Sequence, residues 1–263
     1  MVLASAEGPD QTVKLPARAD AALDRIAARV AADPVASKVY PDLLGMMRSV
    51  HVKLDASPAS VTYKPKEGSP VTFRIGAMPV QALAGLLVKN PDSAARLPIS
   101  YAALQAGQYA PFAGPIHQQI FGSRLTLHGM PEAMDLASGV SPGRLSLVRQ
   151  QAKTAVLGGS LNFPMPHFLA AGITGVDLGE AFRAPTRTAR PTLLLSGDLD
   201  VRTPLEEQVE AVAGFRRLTP VVVENGGHDL FEADPRIADL VVRFLAGEPV
   251  RERKISLPPP RFE

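Results

Sequence analysis

The sequence predicts an α/β protein: about three short parallel core strands, with a large and mostly helical segment inserted after the first of them. Three observations carry this expectation. Thr192-Leu193-Leu194-Leu195-Ser196 is a short apolar run ending at Gly197, the pattern of a strand buried on both faces. Val221-Val222-Val223 repeats that pattern, and Val2-Leu3-Ala4-Ser5 supplies a third such run at the start of the chain. Between the last two candidate strands, and again after them, lie helical patterns, so strand and helix alternate from about residue 192 to Gly247 as in a βαβα unit.

The helices of this C-terminal part are delimited by their ends. Thr203-Pro204 is expected to supply an N-cap and a proline at the first helical position. Glu206 and Glu207 follow in the first turn, where carboxylates suit the helix dipole, and Val209, Val212 and Phe215 give an apolar face. Asn225-Gly226-Gly227 breaks the next strand. Asp234-Pro235 opens a second helix, with Ile237, Leu240, Val241 and Phe244 on one face and Gly247 as its stop.

Residues 9–185 read as helices around one hairpin. Leu23, Ile26 and Val30 recur at helical spacing, as do Leu43, Met46/Met47, Val50 and Leu54. Further helices are expected near 79–90, 92–106, 131–138 and 144–156, with Pro79 and Pro98 near two of the starts and Gly107 as a stop. Val61-Thr62-Tyr63 and Val71–Ile75 flank a turn-like Lys64–Pro70 and predict a β-hairpin. The expected organisation is a core strand over 1–8, the helical insertion over 9–185, an α/β core over 186–250 and an extended, proline-rich tail over 251–263.

Composition narrows the function. The 263 residues are 46% hydrophobic and 21% charged, which describes a globular chain with a real core and excludes whole-chain disorder. The net charge is only +2, without the clustered basic stripe of a nucleic-acid binder, so no nucleic-acid partner is expected. No apolar run approaches the roughly 18 residues of a membrane span. The absence of cysteine removes a thiolate nucleophile and any thiolate metal site. Met1–Ala6 lacks the basic start and apolar centre of a signal peptide, and the compartment is left unassigned.

Chemistry concentrates at two strand ends. Gly197-Asp198-Leu199-Asp200-Val201-Arg202-Thr203-Pro204 puts carboxylates just past one strand, and Gly226-Gly227-His228 puts an imidazole just past the next. Active sites of open α/β sheets lie beyond these carboxyl ends. An Asp and a His there can pair, the carboxylate fixing the ring's tautomer and stabilising its imidazolium, and the order acid then His late in a chain fits nucleophile, acid, His. Asp200, further past the strand, is the expected acid, and Asp198 the turn residue. Four other histidines, His51, His117, His128 and His167, show no metal-ligand spacing and read as surface or insertion histidines. No metal and no cofactor is expected.

These motifs, Ser196–Pro204 and Val223-Glu224-Asn225-Gly226-Gly227-His228, resemble the acid and histidine motifs of α/β-hydrolases. The likeness is closest to the tripeptidyl-aminopeptidase-like and proline-iminopeptidase-like branch. Val2–Pro9 is similar to that branch's strand leading into a helical cap, and Tyr40–Leu43, Met134–Gly139 and the Leu257-Pro258-Pro259-Pro260 tail also resemble that branch. The resemblance implies the C-terminal part of an α/β-hydrolase sheet carrying a large cap, with catalytic Asp200 and His228. It also implies a peptidase working from the amino end of its substrate, or an esterase or amidase.

The family's Gly-x-Ser-x-Gly elbow is not found on this chain. Gly158-Gly159-Ser160-Leu161-Asn162 comes nearest but lacks the closing glycine and falls in the insertion, and Ser138-Gly139 and Ser196-Gly197 fail as well. The expectation is a C-terminal fragment whose nucleophile lies on a missing N-terminal half, inactive alone, its open strand edge prone to dimerise. The rival expectation is a non-catalytic module using the cap to bind a peptide or small ligand. Glu7 reads either as the receiver of a substrate's amino group or as a solvated loop carboxylate. Phe163–Phe168 reads equally as a pocket wall or as a loop covering the core.

Overall fold

A computed structural model of the chain describes residues 1–118, 130–165 and 176–262. Its main sheet has four parallel strands in the order β1-β4-β5-β6, where β1 is Val2–Ala4, β4 Thr192–Gly197, β5 Leu218–Glu224 and β6 Lys254–Ser256. The sheet is therefore one strand wider than the sequence led us to expect. Lys254–Ser256, read as part of an extended tail, pairs with Val222–Glu224. Its short apolar content, with Ile255 alone turned inward, hid it from periodicity.

β4, with β1 and β5 on its two edges, is buried at every residue and so on both faces. That explains its uninterrupted apolar sequence. Leu193, Leu195, Val221, Val223 and Ile255 form one core with Ile237 and Leu240 of the helix Pro235–Leu245. That helix starts as expected, Asp234 capping the Arg236 N–H, and Gly247 follows it at a φ of 83°.

Between β1 and β4 the described residues are mainly helical. The helices are α1 (Pro16–Ala32), α2 (Ala36–Val39), α3 (Leu43–Ala56), α4 (Ala77–Leu87), α5 (Pro91–Ala94), α6 (Leu97–Gln105), α7 (Ala110–Ile116), α8 (Met130–Ser138), α9 (Pro142–Gln151) and α10 (Glu180–Arg183). The core sheet then contributes α11 (Leu205–Ala211) and α12 (Pro235–Leu245). The hairpin forms as read, β2 (Ala59–Tyr63) pairing antiparallel with β3 (Val71–Ile75). The helix expected over 92–106 is two helices, broken at Ala95–Arg96 ahead of Pro98.

Leu23, Ile26 and Val30 of α1 pack with Leu43, Met47, Val50 and Leu54 of α3, as their spacing required. Two residues from the sheet's loops, Leu199 and Val201, are buried in that same core. The insertion thus reaches down to the loop after β4.

Two readings of α11 are corrected. Its N-cap position is Pro204, not Thr203, and no side chain caps it. Val209, assigned to the apolar face, is 61% exposed, while Glu207 and Gln208 are buried. Glu207 faces inward because a buried arginine of the insertion meets it there.

Candidate active site

The site is built where β4 and β5 end side by side. After Gly197 the chain turns across the neighbouring strand end: the Asp198 N–H donates to the Val223 carbonyl (3.2 Å) and the Leu199 N–H to the Gly226 carbonyl (2.9 Å). A Cβ on Gly197 would fall 2.3 Å from the Gly227 carbonyl oxygen, so only glycine lets these loops close to this distance. Asn225 holds a left-handed backbone (φ 62°) that turns the second loop back over the first.

Asp200 is completely buried, and its Oδ2 lies 3.1 Å from Nδ1 of His228. The Thr203 N–H donates to Oδ1 (2.9 Å), and the Thr203 hydroxyl donates to Oδ2 (2.6 Å) while lying 3.3 Å from Nδ1. A carboxylate only accepts, so a neutral ring paired in this way has its proton on Nδ1 and its lone pair on Nε2. Among the described residues Nε2 has no hydrogen-bond partner, and the ring keeps 19% of its surface exposed. The expected acid and histidine are thus brought together.

The histidine loop is fixed from two sides. The His228 N–H donates to the Lys89 carbonyl (2.9 Å), and Asn90 exchanges hydrogen bonds with Asp229 through both ends of its amide. From the other side the hydroxyl of Ser5, just past β1, donates to the His228 carbonyl (2.8 Å). Ser5 adopts a φ of 50°, unusual for a residue with a side chain. No pattern in the sequence marked Lys89, Asn90 or Ser5, because their roles run through a backbone carbonyl or a long-range amide.

Asp198 is a structural turn residue. Its carboxylate accepts from the Asn225 N–H (2.6 Å) and from Arg29 (2.8 Å), tying both strand-end loops to α1. Burial raises its pKa, against the opposing pull of the Asn225 N–H and Arg29.

Beside the pair lies a cavity of about 410 Å³, within the size range of small-ligand pockets. Leu83, Leu86, Ile116 and Leu161 give it apolar walls, and Val201-Arg202, directly after Asp200, form one side. Asp200 and His228 themselves do not line it. Glu7 does, but its carboxylate is in contact with the Lys14 ammonium. Asp135 also lines it, and among the described residues its carboxylate has no hydrogen-bonding or ion-pair partner. Its pKa is raised by burial first and then by the charge of Glu7. Phe163 and Met165 belong to the wall; residues 166–168 of that stretch, His167 among them, and His128 lie outside the described residues.

Two of the three serines of the failed motifs, Ser160 and Ser196, are engaged elsewhere. Ser160, on the cavity wall, donates to the Leu157 carbonyl (2.6 Å), and Ser196 to Gln208 (2.7 Å). His51 is not at the surface as one reading allowed: it is buried against Tyr101. His117 packs beside Tyr63 and Phe73. Among the described residues no three His, Asp or Glu side chains converge to hold a metal. No helix among them is long and apolar enough to cross a membrane.

Residues 177–253 match a family model described as TAP-like protein. The matched segment runs through β4, α11, β5 and α12 and contains both Asp200 and His228. No curated protein matches the chain.

Proposed function

We infer from the likeness of residues 177–253 to the TAP-like family that Asp200 and His228 are the acid and base of a Ser-His-Asp triad whose serine is not on this chain. The helical insertion is then the cap over a peptidase-like site, and the chain is the C-terminal part of a serine hydrolase. The observation that carries the reading is the 3.1 Å contact between His228 Nδ1 and a wholly buried Asp200, with Nε2 unpaired among the described residues.

In that reaction Nε2 takes the proton of a serine hydroxyl as its oxygen attacks the scissile carbonyl. The resulting imidazolium, stabilised by Asp200, returns the proton to the leaving amine as the C–N bond breaks. Water then repeats the sequence on the acyl-enzyme, with His228 again first base and then acid. The adjoining cavity suits a substrate residue with an apolar side chain. Asp135 is better placed than Glu7 to receive a substrate's amino group, since Lys14 already neutralises Glu7.

A specific observation favours a second reading, a binding module without catalysis: the cavity lies beside the pair and is lined largely by the insertion. One experiment separates them. The chain is expressed alone and fused to the translation of the reading frame upstream of its first codon, and both are assayed on aminoacyl and tripeptidyl anilides and on a short-chain ester. The expected outcome is no turnover by the chain alone and hydrolysis by the fusion. Asp200→Asn should lower that hydrolysis by about 10⁴-fold and His228→Ala by about 10⁶-fold. Hydrolysis indifferent to His228→Ala, or a fusion that binds peptide without cleaving it, defeats the triad.

A further inference from the structure

We propose that Thr203 is the positioning residue of the acid–histidine pair, holding His228 in its Nδ1–H tautomer by gripping Asp200 through both carboxylate oxygens. The inference rests on the reading of Asp200 and His228 as acid and base, and adds the group that fixes their geometry. Thr203 is buried, its N–H reaches Oδ1 at 2.9 Å and its hydroxyl reaches Oδ2 at 2.6 Å. A threonine hydroxyl has one proton, and the short contact to Oδ2 uses it. The oxygen therefore turns a lone pair toward Nδ1, 3.3 Å away.

Nδ1 thus faces two acceptors, Oδ2 and the threonine oxygen, and no donor. A proton on Nδ1 satisfies both; a bare Nδ1 would set its lone pair against theirs.

Thr203 is itself anchored. Its carbonyl accepts from Gln208 Nε2 (2.8 Å), and Gln208 Oε1 accepts from Ser196 of β4 (2.7 Å). A buried relay thus runs from strand to threonine to carboxylate to ring. A threonine before a proline-led helix would ordinarily cap it. Here α11 goes without a side-chain cap and the hydroxyl serves Asp200 instead.

The test uses the 263-residue chain and needs no turnover. Nitrogen-15 NMR of the histidine rings at pH 8 reports which ring nitrogen carries the proton, with His228→Gln identifying the signal. The parent should show His228 as the Nδ1–H tautomer alone. Thr203→Val should give mixed tautomers and exchange of the ring proton with water about tenfold faster, the effect of one lost acceptor. Thr203→Ser should restore the parent pattern. A Thr203→Val protein that melts lower but keeps a single Nδ1–H tautomer with unchanged exchange overturns the proposal. Should the valine variant not fold, the unmodified protein decides: the Thr203 hydroxyl proton should be slow to exchange and show a nuclear Overhauser contact to the His228 ring proton, and its absence overturns the proposal. Asp200→Asn separates the two ideas. If the parent ring is not Nδ1-protonated, or Asp200→Asn leaves the ring unchanged, the acid–base reading itself has failed; if only Thr203→Val is silent, Thr203 alone is at fault.

Discussion

His51 and Tyr101 show what burial does to a polar pair that takes no part in the site. Their side chains meet at 2.8 Å inside the helical insertion, ring against ring in an edge-on arrangement. Burial, with the charge of Arg48 aiding and that of Asp55 opposing, pushes the His51 pKa from 6.5 down to about 4. The folded protein therefore prefers the neutral ring, while the unfolded chain takes up a proton near 6.5. The stabilisation is complete above that value and drains away as the pH falls toward 4, a change on the order of 3 kcal/mol. Urea unfolding of the parent and of His51→Gln across this window should show their stability difference narrowing or reversing at the acid end. A difference that stays constant with pH would refute the assignment. Asp198 and Asp200 show the same dependence on surroundings at two positions of one loop: one ties loops to an arginine, the other meets the histidine.

At the scale of elements, what matters is how the insertion is bolted to the sheet. Arg144 of α9 reaches Glu207 of α11 through one nitrogen, Nη2, which donates to both carboxylate oxygens (2.6 and 2.7 Å), and both side chains are almost wholly buried. The same carboxylate accepts the Leu15 N–H and lies 3.1 Å from Arg18. The Nε of Arg144 donates to the Val13 carbonyl. Removing one partner of such a pair strands a buried charge at a cost of roughly 3–5 kcal/mol, and Arg18 should hold this case to the lower end. Arg144→Met is therefore expected to destabilise by about 3 kcal/mol in chemical denaturation, and Arg144→Met with Glu207→Met to recover most of it. A single variant within about 0.5 kcal/mol of the parent would show the pair to be without structural weight. The first helix adds a second fastening: Arg25 donates to the Asp198 carbonyl and Arg29 to both Asp198 and Asn225.

Across the whole molecule, these fastenings join two hydrophobic cores. One lies under the parallel sheet and the other among the helices of the insertion, yet Leu199 and Val201, flanking the acid, are buried in the second. The loop that carries Asp200 cannot keep its shape if the insertion unfolds. Cooperative unfolding follows. All four tyrosines, Tyr40, Tyr63, Tyr101 and Tyr109, lie in the insertion, so their fluorescence reports on it alone. The methyl signals of Leu195, Val221 and Val223 report on the sheet. Both sets should change at one urea midpoint; separate midpoints would mean that the two cores fold independently.

The amino-acid sequence by itself determined the strands β1, β4 and β5, the hairpin, the amphipathic faces of α1 and α3 and the placing of Asp200 and His228 just past neighbouring strand ends. Each of those is written in local pattern: an apolar run, a helical spacing, a loop motif at a strand end. Only the tertiary structure decided that Lys254–Ser256 joins the sheet, since a three-residue strand exists through the hydrogen bonds of its neighbour. It alone sent the Thr203 hydroxyl to a carboxylate instead of a helix end, and turned Glu207 inward to meet Arg144, 63 residues away. It also gave Glu7 to Lys14 and left Asp135 open to the cavity. A hydroxyl or carboxylate has several acceptable partners in a sequence. Which one it takes is settled by what the packed backbone brings within 3 Å, and that distance is not a property of the neighbouring residues in the chain.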